Sequence, residues 1–277
     1  MDTANHSDAL LEEMEIQERL FKIKHKIVVM SGKGGVGKSS VAANLATSLA
    51  LAGKKVGLLD IDIHGPSIPK ILGLEGKTLT SENNLLIPLE IGNLKVLSIG
   101  FMLNHADDAV IWRGPMKYTA IKQFIKDVNW GELDYLIIDS PPGTGDEPLS
   151  IIQILGKADG AIIVTTPQSL SLIDVRKSIT FCNRLNLPIL GIVENMSGFV
   201  CPHCQKTIDI FKNGGGEKMA QELNIPFLGK LPIDPLMVEA ADEGKIFVYF
   251  YSQTATAREF QKIVDPILQL SDSTPGE

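Results

Sequence analysis

Short β-branched and apolar runs recur at residues 26–30, 55–59, 95–99, 135–139, 161–165, 189–194 and 226–231, each bounded by Gly, Pro, Ser or Asn. Runs of that length and punctuation predict buried strands. Between most of them lie helical patterns. Val41, Leu45, Leu49 and Ala52 form an i, i+4, i+8, i+11 stripe that faces a sheet and stops at Gly53, and a second helix is predicted over 170–185. Alternating strand and helix predict an α/β fold with right-handed crossovers, a mostly parallel sheet and helices on both faces. Ligands of such sheets bind at the carboxyl ends of the strands. No repeat, low-complexity tract or Pro/Ser-rich linker interrupts the pattern. One domain is therefore expected over 25–270, with a charged helical extension at 1–24 and a disordered tail at 271–277.

Composition narrows the function. With 277 residues and 44% hydrophobic content, the chain can bury a substantial core. Its 33 Asp+Glu against 26 Lys+Arg, a formal net charge of −7, oppose a sequence-blind grip on a nucleic-acid backbone, so no nucleic-acid partner is expected. No apolar run reaches the roughly 18 residues of a membrane span. An N-terminus carrying Asp2, Asp8, Glu12 and Glu13 lacks the basic start of a secretion signal. The expectation is a cytoplasmic protein without a membrane partner. Three cysteines, Cys182, Cys201 and Cys204, make no disulfide framework and suit a reducing compartment.

Directly after the first predicted strand comes Gly32-Lys33-Gly34-Gly35-Val36-Gly37-Lys38-Ser39, followed by Ser40 and the Val41 helix. This satisfies the P-loop pattern in its required strand–loop–helix setting. Glycines let successive N–H groups point inward, and the helix adds its positive end, so the loop cradles phosphate. Lys38 is expected on the β- and γ-phosphates and Ser39 on magnesium. Lys38 reads as an exposed loop cation whose removal leaves the fold intact.

Acidic residues stand at two other predicted strand ends, Asp60-Ile61-Asp62 and Asp139-Ser140-Pro141-Pro142-Gly143-Thr144-Gly145-Asp146. A single aspartate at a strand end is commonly an N-cap. Three around one P-loop favour a magnesium site, with Asp60 and Asp139 beside Ser39.

Cys201-Pro202-His203-Cys204 admits three readings. It matches the tetrapeptide of some thiol–disulfide enzymes, but those place it at a helix N-terminus, and no helix is predicted before about 213–219. A structural zinc site needs four ligands, whereas one chain offers this pair with His203 awkwardly between them. Two copies related by a two-fold axis would supply four thiolates, suited to zinc or to a [4Fe–4S] cluster. Ligand softness alone does not choose. Cys182, beside Phe181, reads as a small buried hydrophobe.

Lys33, directly after the first glycine, makes the loop resemble that of the deviant P-loop ATPases related to MinD, ParA and the nitrogenase iron protein. Adding Asp60-x-Asp62-x-x-Gly65-Pro66-Ser67, the Asp139–Asp146 segment, Glu194-Asn195-Met196-Ser197 and the cysteine motif, the chain is similar to the Mrp/ApbC iron–sulfur carrier family over about 26–269. The resemblance implies a homodimer in which Lys33 reaches the phosphates bound by the opposite subunit. It implies that Asp62 positions the attacking water and that Asn195 sits near the adenine. It favours a [4Fe–4S] cluster held between subunits by Cys201 and Cys204, and weak ATP hydrolysis coupled to cluster loading or transfer. A cluster scaffold and recipient apoproteins are the implied partners. The guanine-reading Asn-Lys-x-Asp is absent, so ATP is expected over GTP. Trp112-Arg113-Gly114-Pro115-Met116 also looks like a family segment, without an assignable role. No multi-cysteine segment or small extra domain precedes residue 26, so no second stable cluster is expected there.

Two other functions compete. A positioning ATPase of the MinD/ParA type with a structural zinc would want a basic amphipathic C-terminal helix. Residues 253–270 carry only Arg258 and Lys262 as basic residues and read as interrupted by Pro266. A reductase like the nitrogenase iron protein would need cluster cysteines at separate places in the chain.

Overall fold

The computed structural model describes residues 2–63, 65–102, 114–201, 203, 204 and 206–270. The chain begins with α1 (Asp2–Phe21), β1 (Ile23–Ser31), α2 (Lys38–Leu51), β2 (Val56–Asp60) and α3 (Ile68–Ile71). Four short strands follow, β3 (Thr80–Glu82), β4 (Leu85–Ile87), β5 (Leu89–Ile91) and β6 (Leu94–Ser98). Then come α4 (Gly114–Lys126), β7 (Leu133–Asp139), α5 (Asp146–Leu155), β8 (Gly160–Thr165), α6 (Ser169–Arg184) and β9 (Ile189–Glu194). A hairpin of β10 (Phe199–Val200) and β11 (Thr207–Ile208) precedes α7 (Gly215–Glu222), β12 (Phe227–Lys230), α8 (Pro235–Asp242), α9 (Phe247–Phe250) and α10 (Ala255–Leu268).

Eight strands form one sheet in the order β12-β9-β8-β1-β7-β2-β6-β5. All its neighbours pair in parallel except β5, which runs antiparallel on the edge beside β6. Successive side chains of a strand face opposite sides. Ile27 and Val29 of β1 therefore join a core layer with Leu45 and Leu49 of α2 and Phe260 and Ile263 of α10. Val28 and Met30 join the other layer, with Leu20 of α1, Phe124 of α4 and Ile151 of α5. This explains why the central strands are continuous apolar runs: both faces are covered. Each such side chain contributes roughly 1.5–3 kcal/mol on burial.

All seven expected strand segments are present, and the fold class is the expected one. Details differ. Ala52 is exposed and caps α2 rather than facing the sheet, because the helix closes one turn around Gly53, whose φ is +83°. Residues 23 and 24 belong to β1, and Ile16 and Leu20 of α1 are buried in the core. Pro266 does not interrupt α10, which runs through it to Leu268; in the helix's last turn its missing N–H removes one bond, the one to the Lys262 carbonyl. The tail 271–277, Trp112 and Arg113 lie outside the described residues.

Candidate nucleotide site and cysteine hairpin

Parallel pairing gathers the chemistry at one edge. In register, Asp139 stands beside Val29 and Asp60, and Glu194 beside Thr165, so the carboxyl ends of β1, β2, β7, β8 and β9 adjoin. The P-loop springs from Ser31 and turns into α2 at Gly37, whose φ of +80° is a left-handed conformation that favours glycine. A β-carbon at Gly37 would collide with Asn195 Nδ2, and one at Gly32 would lie 2.5 Å from the Asp174 backbone of α6. These two glycines let β9 and α6 approach the loop closely.

Around the loop opens a cleft of about 380 Å³, lined by Gly34, Lys38, Ser39, Asp62, Ser67 and Pro142 among others. Gly34 and Gly35 are exposed at its mouth. Ser40 lies in the same wall, and Asn44 donates to its carbonyl at 2.8 Å. The Ser31 hydroxyl donates to the Lys33 carbonyl at 3.0 Å. Among the described residues no carboxylate lies within ion-pair distance of the half-buried Lys33 ammonium. The opposite side is braced by Gly143, whose N–H donates to the Ser31 carbonyl at 2.8 Å.

Lys38 corrects the expectation of an exposed cation. Its side chain is 6% exposed, with Nζ 2.5 Å from Asp139 Oδ1 and 3.9 Å from Asp62 Oδ2. As the first residue of α2 it points back over the strand ends, where Asp139 is fully buried. Asp60 is equally buried, accepting from the Ser98 hydroxyl at 2.8 Å and the Asp62 N–H at 3.1 Å. Burial, and next the charge of Asp139, push its carboxyl up to about 7, against the Ser98 and Asp62 donors and Lys38.

Asp139 Oδ2 is buried without a hydrogen-bond partner. A bare buried carboxylate oxygen costs about 1–3 kcal/mol, and a hard cation or its bound water is a partner suited to it. The donor set fits magnesium: hydroxyl and carboxylate oxygens beside a phosphate cradle. Among the described residues no three His, Cys, Asp or Glu side chains converge on a metal site, so phosphate oxygens and water would complete the coordination.

Asn195 is buried, and its Nδ2 donates to the Val36 carbonyl inside the P-loop at 2.9 Å. That donor is thereby engaged with the loop backbone. Four residues on, the cysteine hairpin begins at Phe199. Cys201 and Cys204 sit at the tip joining β10 to β11, and the Cys201 N–H donates to the Lys206 carbonyl at 3.0 Å. Cys201 is partly exposed and Cys204 exposed, whereas Cys182 is buried with its sulfur 3.8 Å from Met30 Sδ. The N–H groups of Cys204 and His203, with the Cys204 thiol, hold the Cys201 thiol below its ordinary pKa. Burial pushes Cys182 up to about 11. The two tip thiols have the accessibility a soft metal needs, and Cys182 does not.

Residues 22–268 match the profile of the ParA-type family described as the NUBPL iron-transfer P-loop NTPase. The chain belongs to this family. It is therefore a P-loop NTPase, with the apparatus for binding and hydrolysing a nucleotide. It is 53% identical over 259 residues to the iron-sulfur cluster carrier protein of Methanocaldococcus jannaschii, covering 93% of this chain and 89% of that one. It is 52% identical over 268 residues to the cytosolic Fe-S cluster assembly factor CFD1 of Kluyveromyces lactis, covering 93% and 95%. Among solved structures, a nucleotide-binding protein of Archaeoglobus fulgidus in complex with ADP superposes with a TM-score of 0.78 at 42% identity, over 90% of this chain and 96% of that one. The MinD protein of Pyrococcus horikoshii, with a TM-score of 0.64 at 23% identity over 89% and 96%, shares the fold.

Two contacts beside the site were not legible from the sequence. Ser98 holds Asp60 from the end of β6, and Glu194 gathers donors from both sides of the cysteine hairpin. Ser98 belongs to no motif, and Glu194 stands in the sequence only as the first residue of a family segment, without a role; the folding of the chain around the strand ends supplies the bonds of both.

Proposed function

We propose that this chain is an ATP-dependent iron–sulfur cluster carrier, whose cargo is a [4Fe–4S] cluster held by Cys201 and Cys204 of two copies. The observation that carries the reading is the placement of an accessible Cys-x-x-Cys on a hairpin rooted at the strand end that touches the P-loop. The relatives named for cluster carriage and assembly support it.

Four thiolates are needed for such a cluster and one chain's hairpin offers two, so a homodimer follows. The P-loop, Gly32 to Ser40, holds the phosphates of ATP. Ser39, Asp60 and Asp139 would hold magnesium, which supplies positive charge against the phosphoryl oxygens. Lys38 neutralises the β- and γ-phosphates, and Asp62 orients the attacking water. Lys33, free of a described carboxylate partner, reaches the phosphates of the opposite subunit. Asn195 stands on the nucleotide side of β9, near the adenine, while bracing the loop. Hydrolysis is weak and serves cluster loading or transfer, to recipient apoproteins and from a scaffold, in the cytosol. A membrane-positioning role is disfavoured because the apolar face of α10, with Ala257, Phe260, Ile263, Val264 and Ile267, is spent in the core. No helix among the described residues is long and apolar enough to cross a membrane.

Anaerobic reconstitution with iron and sulfide tests the proposal. Wild type is expected to bind one oxygen-labile cluster per dimer, lost in Cys201→Ala and Cys204→Ala while ATP binding persists. Mutants that keep their iron, or a wild type holding one zinc per dimer and no sulfide, would overturn it.

A further inference from the structure

Glu194 is the one buried glutamate among the described residues, and the chemistry proposed above leaves it unused. Its carboxylate collects three donors. Oε1 accepts from the Ser197 hydroxyl at 2.5 Å and the Gly214 N–H at 2.8 Å, and Oε2 accepts from the Gly216 N–H at 2.5 Å. Ser197 lies before the cysteine hairpin; Gly214 and Gly216 lie after it. One carboxylate thus closes both ends of the segment that carries Cys201 and Cys204.

The turn that enters this segment is tightly constrained. Met196 has φ +57° and Gly198 φ +75°, the former in a region that side chains rarely adopt. The Ser197 N–H is held by the Leu231 carbonyl at 2.8 Å, and the Leu231 N–H by the Glu194 carbonyl at 2.8 Å. The chain neighbour of Glu194 is Asn195, whose N–H is fixed to the Thr165 carbonyl at 2.7 Å and whose side chain donates to Val36 O. A phosphate in the P-loop requires the loop's N–H groups turned inward, so the orientation of the Val36 peptide is sensed directly by Asn195. Asn195 and Glu194 are adjacent on a strand end pinned by the Thr165 and Leu231 bonds, so the P-loop contact and both roots of the hairpin meet at two neighbouring residues.

We propose that Glu194 is a positioning residue that couples occupancy of the P-loop to the placement of the Cys201–Cys204 hairpin. The inference rests on reading the cysteine pair as the cluster site, and deepens it: nucleotide state sets how the thiols are presented. A device of this kind is defined by a coupling free energy, which is measurable without any cluster.

The experiment is alkylation of the reduced, cluster-free full chain with iodoacetamide, following Cys201 and Cys204 by peptide mass, with and without ATP and magnesium. Buried Cys182 serves as the silent internal control. In wild type, ATP is expected to change the rate at the two tip thiols by about fivefold or more. Glu194→Gln keeps an acceptor but turns an amide N–H toward the Gly216 donor. It is expected to bind ATP within about twofold of wild type and to lose the ATP effect on alkylation. Ser197→Ala, which removes only the hairpin-side bond, is expected to weaken the effect and keeps the test open should Glu194→Gln fail to fold. Were Glu194 merely a cap for α7, both variants would melt earlier yet keep the full ATP effect. That result, or a wild type whose alkylation ignores ATP, overturns the inference. A protein that holds zinc instead of a cluster would sink the carrier reading while leaving this measurement intact.

Discussion

Lys38 stands between two carboxylates, Asp139 at 2.5 Å and Asp62 at 3.9 Å, with 6% of its side chain exposed. Its removal therefore does more than empty a phosphate site. Lys38→Ala leaves Asp139 buried with no counter-ion, and breaking a buried pair on one side costs about 3–5 kcal/mol. The expected result is a protein that neither binds ATP nor matches wild-type stability in urea. Adding Asp139→Asn to Lys38→Ala removes the orphaned charge, so most of the lost stability should return while ATP binding does not. Equal stability of wild type and Lys38→Ala would show that Asp139 does not depend on this ammonium.

At the scale of elements, Asp134 at the start of β7 ties two neighbours. Its carboxylate accepts from Lys24 Nζ of β1 at 2.9 Å and from the Lys55 N–H, just before β2, at 2.8 Å. Burial works to raise its pKa, but the Lys55 N–H and the Lys24 ammonium overcome that and hold it below the ordinary value. A carboxyl depressed in the folded state binds its proton first when unfolded, so its stabilisation is present above the unfolded pKa and is lost as pH falls through the folded one. Asp134→Asn is expected to cost about 1 kcal/mol at neutral pH, measured by urea unfolding. The deficit should shrink once the pH falls below roughly 4. A deficit that is constant from pH 7 to 3 would assign the loss to packing instead.

For the whole molecule, the proposed homodimer carries a test of its own. If Lys33 acts on the phosphates of the opposite copy, Lys33→Ala and Asp62→Asn proteins are each inactive alone, yet a mixed dimer contains one intact site. Random mixing in equal amounts should then restore roughly a quarter of wild-type ATP hydrolysis. No recovery on mixing, with dimers verified by light scattering, would place Lys33 in its own subunit's site.

Strand positions, the parallel class of the sheet, the P-loop and the cysteine pair were all legible in the sequence, because each depends on local spacing. Apolar runs covered on both faces need no partner to be recognised, and a glycine-rich loop between strand and helix declares its own conformation. Side-chain environment was not legible. Lys38 reads as a loop cation until Asp139, 101 residues away, closes over it. The short strands β10 and β11 have two residues each, too few for a periodic signal, so the cysteines read as a loop. Ser98 met Asp60 only when parallel pairing brought distant strand ends to one edge, and Glu194 met Gly214 and Gly216 only when the chain returned past the hairpin. Local patterns specify which atoms can bind a phosphate or a metal; the long-range packing of the sheet decides which are buried, which are charged, and which are joined to one another.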